Sequence, residues 1–370
     1  MPGSDAPNSD SRTHDAGVVR DHDSGVVRTH DAGVVRTHEA GVVRTEPGVV
    51  REHEASAVVV PDFIRDIGRG RDGARNLTAE RSRRLFDAIF AGTVGDVELG
   101  ALMIALRMKG ESLDEVEGAL AAVDQHVVRT PIDASRSVVS IPSYNGARNM
   151  ANLTPLLACL LADADVQVIV HGVRSDPKRT TTYQIMMAMG IAPIKCIADG
   201  PNLLARNDPV FVPIELLAPP LARMLELRWK LGVRNIGHTL VKVLNPCASA
   251  DCLRLTAYTH PEFDRLQHAL FTRLRAPALI MRGTEGEVVA NSKRAAGIDW
   301  LHDGQCQTLV ESESLPIAEM PSLPPAQDAL ATARWIQSVL AGERPVPPAI
   351  AAQVACILQA LNRTAAPLAA

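Results

Sequence analysis

Two loops hold the chain's densest set of side chains able to grip an anion. The first loop runs Pro142-Ser143-Tyr144-Asn145-Gly146-Ala147 and leads to Asn152-Leu153-Thr154. The second runs His171-Gly172-Val173-Arg174 and continues through Lys178 and Arg179 to Thr182. Glycines would let backbone N–H groups close on phosphate oxygens, but the first loop holds only Gly146, so a glycine-rich phosphate cradle is absent as a motif. A second set is purely basic: Arg228, Lys230, Arg234, His238 and Lys242, followed by Arg282, Lys293 and Arg294. Cations without matching carboxylates suit a phosphate backbone, a contact that fixes position but reads no base.

The elements around these residues place them. The β-branched runs 138–141 and 166–170 read as buried strands, and 155–162 as the helix between them. Two strand-loop-helix units in a row put both loops at the carboxyl ends of parallel strands, where open α/β sheets bind ligands. Residues 221–231 read as a helix. If 233–244 is also helical, Arg234, His238 and Lys242 form one ridge, while Ile236, Leu240, Val243 and Leu244 turn inward. Before the first strand, Thr78 caps a helix ending near Gly92, another runs 96–110, and Ser112 with Glu115 forms a capping box for a third. Past the charged region, 326–340 and 349–362 read as helices separated by a Pro-rich break.

Charge is local rather than global. Residues 166–298 hold 17 Lys and Arg against 10 Asp and Glu, whereas 61–370 balance at 32 of each. That pattern implies a basic patch on a neutral body, and the pI of about 6.3 excludes a globally cationic protein. Aromatic content is 3%, so base stacking is limited and electrostatics would carry most of an affinity. Tyr144 is the one ring well placed for stacking. The six cysteines show no metal-ligand spacing, so reduced thiols and no metal site are expected, with a cytoplasmic location. No apolar run reaches the roughly 20 residues that span a bilayer.

The spacing of these motifs resembles that of the anthranilate phosphoribosyltransferase family, glycosyltransferase family 3, which shares its fold with the pyrimidine nucleoside phosphorylases. That family carries GTGGDG, NIST, KHGNR, a Ser-rich loop and a later Asp-Glu pair for magnesium. Here Gly146 stands where the family has Asp, and Asn145, Asn152, Thr154, His171, Gly172, Arg174 and Thr182 keep or neighbour family positions. Val170 and Val173 replace the Lys and Asn of KHGNR, and Gly286 replaces the Asp of the pair, leaving Glu287 with Glu285 beside it. Residues 228–246 are more similar to the YbiB-type paralogues, with Leu231-Gly232, Arg234 and Asn245-Pro246 common to the enzymes, and His238 and Lys242 added.

The resemblance implies a particular fold. It is an α/β protein with a small N-terminal helical domain and a larger domain built on a mainly parallel sheet. It implies a homodimer through the helical domain, and sequence-tolerant binding of nucleic acid, DNA foremost, without a cofactor or membrane. The residues expected to bind are Arg174, Lys178, Arg179, Arg228, Lys230, Arg234, His238, Lys242, Arg282, Lys293 and Arg294. A divergent phosphoribosyl- or pentosyltransferase is the other reading. It would hold its donor with Asn152, Thr154, Arg174 and Thr182, and magnesium with Glu285 and Glu287. The division expected is 1–60, 61–130 and 131–370. The first of these repeats an octapeptide, Thr13-His14-Asp15-Ala16-Gly17-Val18-Val19-Arg20, with too few large apolar groups to pack. Its recurring His-Asp pairs could at most bind transition metals loosely.

Overall fold

A computed structural model describes residues 58–70, 72–293, 296–311 and 322–361. The octapeptide head and Arg294 lie outside the described residues. Four helices come first: α1 (Val60–Ile67), α2 (Ala79–Phe90), α3 (Asp96–Lys109) and α4 (Leu113–Asp124). The caps fall where the sequence puts them. Thr78 accepts from the Arg81 N–H, and Ser112 and Glu115 form the reciprocal box. Glu115 does more than cap. Fully buried, it also accepts from the Leu77 N–H and pairs with Lys109 Nζ at 2.7 Å, which ties the start of α2 to α3 and α4.

The α/β part follows as β1 (Val138–Ser143), α5 (Thr154–Asp163), β2 (Gln167–Gly172), α6 (Thr182–Ala188), α7 (Gly200–Leu204), β3 (Val210–Pro213), α8 (Ile214–Leu217), α9 (Pro219–Leu231) and α10 (Gly237–Val243). Then come β4 (Leu253–Tyr258), α11 (Pro261–Leu274), β5 (Ala278–Arg282), β6 (Ile298–His302), β7 (Gln305–Val310), α12 (Ala329–Leu340) and α13 (Pro348–Ala360). The sheet order is β3-β2-β1-β4-β5-β6-β7, parallel through β5 and antiparallel at β6 and β7.

Strand side chains alternate between two cores. Val139, Ile141, Val168 and Val170 join α5, α12 and α13, while Val138 and Ile169 face the core shared with the four-helix part. The described residues belong to one compact unit. Among the described residues, no helix is long and apolar enough to cross a membrane.

Three expectations are corrected. Residues 233–236 are not helical, because α10 begins only at Gly237; Asn235 Oδ1 instead accepts the Gly237 N–H and closes a turn. The four inward residues are nonetheless buried. Cys247 and Cys252 are joined as a disulfide rather than kept as thiols. The loop from α10 to β4 doubles back and brings their Cα atoms to 6.2 Å, a return that a spacing of five does not reveal. Tyr144 is buried rather than available for stacking, with its hydroxyl 2.8 Å from His171 Nδ1.

Candidate functional site

The chain leaves β1 for β2 and β3 on one side and returns to β4 and β5 on the other. The gap between the β1 and β4 carboxyl ends is therefore the topological switch point, where α/β sheets place ligands. A cavity of about 500 Å³ opens there. The loop after β1 contributes Asn145, Arg148 and Asn149, and β4 with its following residues contributes Tyr258, Thr259 and His260. The 228–242 segment supplies Arg228, Arg234, His238 and Lys242, and α3 supplies Arg107. Six cationic side chains line this cavity (Arg107, Arg148, Arg179, Arg228, Arg234 and Lys242) against Glu111 and Glu285.

Several of these charges are held in place. Arg228 pairs with the buried Asp176 at 3.3 Å and lies over the Trp229 ring. Arg179 donates to the Gly146 carbonyl at 3.2 Å and lies 3.6 Å from Glu285. Arg234 donates to Asn145 Oδ1 at 2.6 Å, and Lys242 to the Gly286 carbonyl at 3.1 Å. Burial, reinforced by Arg228 and Arg179, lowers the Arg234 guanidinium to about 10. Burial and then Arg234 bring the Lys242 ammonium down to about 8. His238 falls to about 3, through burial first and then Arg234 and Arg228, so it is neutral at pH 7. Cations short of compensation in a partly dry cleft are poised for an anion.

The backbone donors of the loop after β1 are already satisfied by the chain itself. Glu287 Oε1 accepts the N–H groups of Asn145 at 2.8 Å and Gly146 at 2.7 Å. The Glu285 carboxylate accepts those of Arg148, Asn149 and Met150. Gly286 lets both reach in. Its φ is +89°, and a Cβ there would come within 1.6 Å of Asn145 Nδ2. The remaining family positions are tied among themselves: Ser143 and Asn152 both donate to Thr182 Oγ1, and the Thr154 N–H donates to Asn152 Oδ1. Gly172 is packed against the Ser143 carbonyl. His171 is buried, which pushes it down to about 3, and serves as Tyr144's partner.

Of the expected basic residues, Arg179, Arg228, Arg234, His238 and Lys242 meet on this cavity, with Asn145 and Glu285 among the family positions. The others do not line it. Arg174 is exposed and lies 3.8 Å from Glu215; Lys178, Lys230, Arg282 and Lys293 are exposed away from the wall. Lys230 sits in the last turn of α9, and Arg282 ends β5 outside the cavity lining. Arg107, Arg148, His260 and Phe263 escaped the sequence reading. Arg148 carried a signal, two residues after Gly146; Arg107 carried none, since it is one basic residue at the end of α3.

A helical bundle, a mainly parallel sheet and a cleft at the strand ends together define a phosphoribosyltransferase-type fold of the anthranilate kind. Residues 61–127 match the helical bundle domain of the glycosyl transferase family. The chain is 41% identical over 304 residues to the uncharacterized protein YbiB of Escherichia coli (strain K12), covering 82% of this chain and 94% of that protein. It is 27% identical over 229 residues to the anthranilate phosphoribosyltransferase of Persephonella marina, covering 62% of this chain and 66% of the enzyme. The fold matches the anthranilate phosphoribosyltransferase of Saccharomyces cerevisiae in complex with PRPP and Mg, with TM-score 0.64 and 13% identity over 82% of this chain and 89% of that one. The chain belongs to the anthranilate phosphoribosyltransferase-like family, glycosyltransferase family 3.

Proposed function

We propose that this chain binds nucleic acid, DNA foremost, by seating phosphates on the basic wall formed by Arg148, Arg179, Arg228, Arg234 and Lys242. The observation that carries this reading is the division of labour in the cleft. The backbone donors of the old phosphate loop are satisfied by Glu285 and Glu287, while the side-chain cations beyond them outnumber the carboxylates. An anion entering here meets side chains, not a cradle of N–H groups. Half-buried Tyr258 and Phe263 also line the cavity and supply the aromatic side chains a base would stack on.

Magnesium does not fit the donor set. Of the four oxygens of Glu285 and Glu287, only Glu287 Oε2 lacks a partner, and the positive charge of Lys242 already acts on that carboxylate. One buried oxygen beside an ammonium is not the carboxylate set that shares this ion with substrate phosphates. The transferase reading keeps one specific support, the 27% identity to an anthranilate phosphoribosyltransferase.

Partnership with a second copy completes the proposal. Val97, Ala101, Ile104 and Met108 recur at helical spacing on the outer face of α3, with Val97 87% and Met108 81% exposed. That stripe is the surface a homodimer would use.

Fluorescence anisotropy of labelled single- and double-stranded oligonucleotides against the full chain tests the first reading, beside the double variant Arg234→Ala/Lys242→Met. Binding that weakens with salt and collapses in the variant is expected. Calorimetry with phosphoribosyl pyrophosphate and Mg²⁺ tests the second. Heat of binding there, with no oligonucleotide binding even at low salt, would reverse the order of the two readings.

A further inference from the structure

Three side chains that the cleft does not use converge where α11 crosses the edge hairpin β6–β7. His268 of α11, Asp299 of β6 and Cys306 of β7 present ligand atoms that all lie within 4.8 Å of one another, the one such grouping among the described residues. Their orientation is set from outside. His268 Nδ1 faces Asp264 one turn earlier, 3.0 Å from its carbonyl and 3.1 Å from Oδ1. Nε2 faces Asp299 Oδ2 from 3.1 Å; on binding a metal, Nδ1 would keep its proton against that carbonyl and the Nε2 lone pair would turn to the ion. Thr308 Oγ1 donates to Asp299 Oδ1 at 2.7 Å, which turns Oδ2 toward the histidine. A carboxylate on the far nitrogen of a histidine, and a hydroxyl on the far oxygen of a carboxylate, are how proteins orient metal ligands.

We propose that His268 Nε2, Asp299 Oδ2 and Cys306 Sγ form a binding site for a borderline divalent transition-metal ion, zinc foremost. The donor set decides the class: one nitrogen, one sulfur and one oxygen suit zinc, whereas magnesium and calcium want oxygen alone. The spacing suits it too. Ligands about 2.0 Å from a tetrahedral zinc lie roughly 3.3 Å apart, close to the 3.1 Å between Nε2 and Oδ2. His268 and Asp299 are a quarter to a third exposed and Cys306 is exposed, so an ion can enter. On binding, the Cys306 S–H bond breaks, its proton goes to solvent and the sulfur's electron pair forms the metal bond. A fourth position remains for water or an outside ligand. Ligands 31 and 7 residues apart carry no recognisable spacing, which is why the sequence shows no metal site.

The test is a Co²⁺ titration of the full chain, reading the thiolate-to-cobalt charge-transfer absorption. The octapeptide head could take up cobalt through His14, His22, His30 and His38, but it contains no cysteine and gives no such band. A band that saturates at one equivalent, is displaced by Zn²⁺, and is lost in Cys306→Ser and His268→Gln but kept in Cys196→Ser is the expected result. A band that is absent, or that survives Cys306→Ser, overturns the site. Should a variant fail to fold, the wild-type chain still decides. One equivalent of Zn²⁺ must slow alkylation of Cys306 about tenfold or more while Cys196 reacts as before, and equal rates with and without zinc reject the proposal.

Discussion

Lys242 shows what a partly dry cleft lined by cations does to its own residues. Its ammonium, at about 8, is cationic below that pH and neutral above it, whereas in the unfolded chain it titrates near 10.5. Between about pH 8 and 10.5 the unfolded chain binds more protons than the folded one, so the stability of the free protein rises with pH through that window. Below it the penalty of a buried cation is fully present. Lys242→Met should therefore raise the melting temperature at pH 7 while weakening oligonucleotide binding by about 1.5–3 kcal/mol, roughly tenfold to a hundredfold. Affinity of the wild type should fall as pH rises through 8. A variant that lost stability together with binding would mean that the lysine is structural.

Glu287 makes the opposite bargain. Removing it with Glu287→Ala strips two buried N–H groups of their acceptor, and at about 1–3 kcal/mol per donor the loss should be roughly 2–6 kcal/mol by urea unfolding. Gly286→Asp, which brings back the residue of the magnesium pair, should restore no transferase activity. Its Cβ collides with Asn145, and Asp in left-handed backbone is strained as well.

At the level of elements, the chain's periodicity and caps were readable because they are local. Thr78, Ser112 with Glu115, and the Val-rich β1 and β2 all express their structure within a few residues. The site was only half readable, and the failures have one cause. Whether Arg282 or Arg107 faces the cavity depends on how β5 ends and on how α3 packs across the cleft, neither of which any window of sequence records. The supposed ridge failed differently. Arg234 reaches the cavity from a turn rather than from a helix, because Asn235 spends its amide side chain on the backbone around Met224 and Gly237. Its place on the cavity survived a wrong secondary structure. The Lys109–Glu115 pair is a test at this scale. Fully buried and linked to two further N–H groups, it should lose roughly 3–5 kcal/mol on Lys109→Met, which leaves a buried carboxylate unpaired. Thermal unfolding measures it, and a change below 1 kcal/mol would show the carboxylate to be satisfied by its N–H donors alone.

For the whole molecule, the cleft and the α3 stripe proposed as a homodimer face make a joint demand. Four of the cavity's cations, Arg107, Arg148, Arg234 and Lys242, have no ion pair among the described residues. At a slope of about −0.7 per phosphate for a single strand, one cleft predicts log K against log salt near −3. A strand long enough to reach both clefts of a homodimer should double that slope, and its affinity should rise beyond any single-site value through effective concentration. Met108→Glu places a charge at the C-terminal end of the α3 stripe and should yield a monomer by light scattering. In that monomer the long strand should return to the short strand's slope, while short-strand affinity stays as it was. If the long strand keeps the steeper slope in a proven monomer, the extra phosphates lie along one chain. The exposed basic residues outside the cavity, Lys178, Lys230 and Arg174, would then be the first place to look for them.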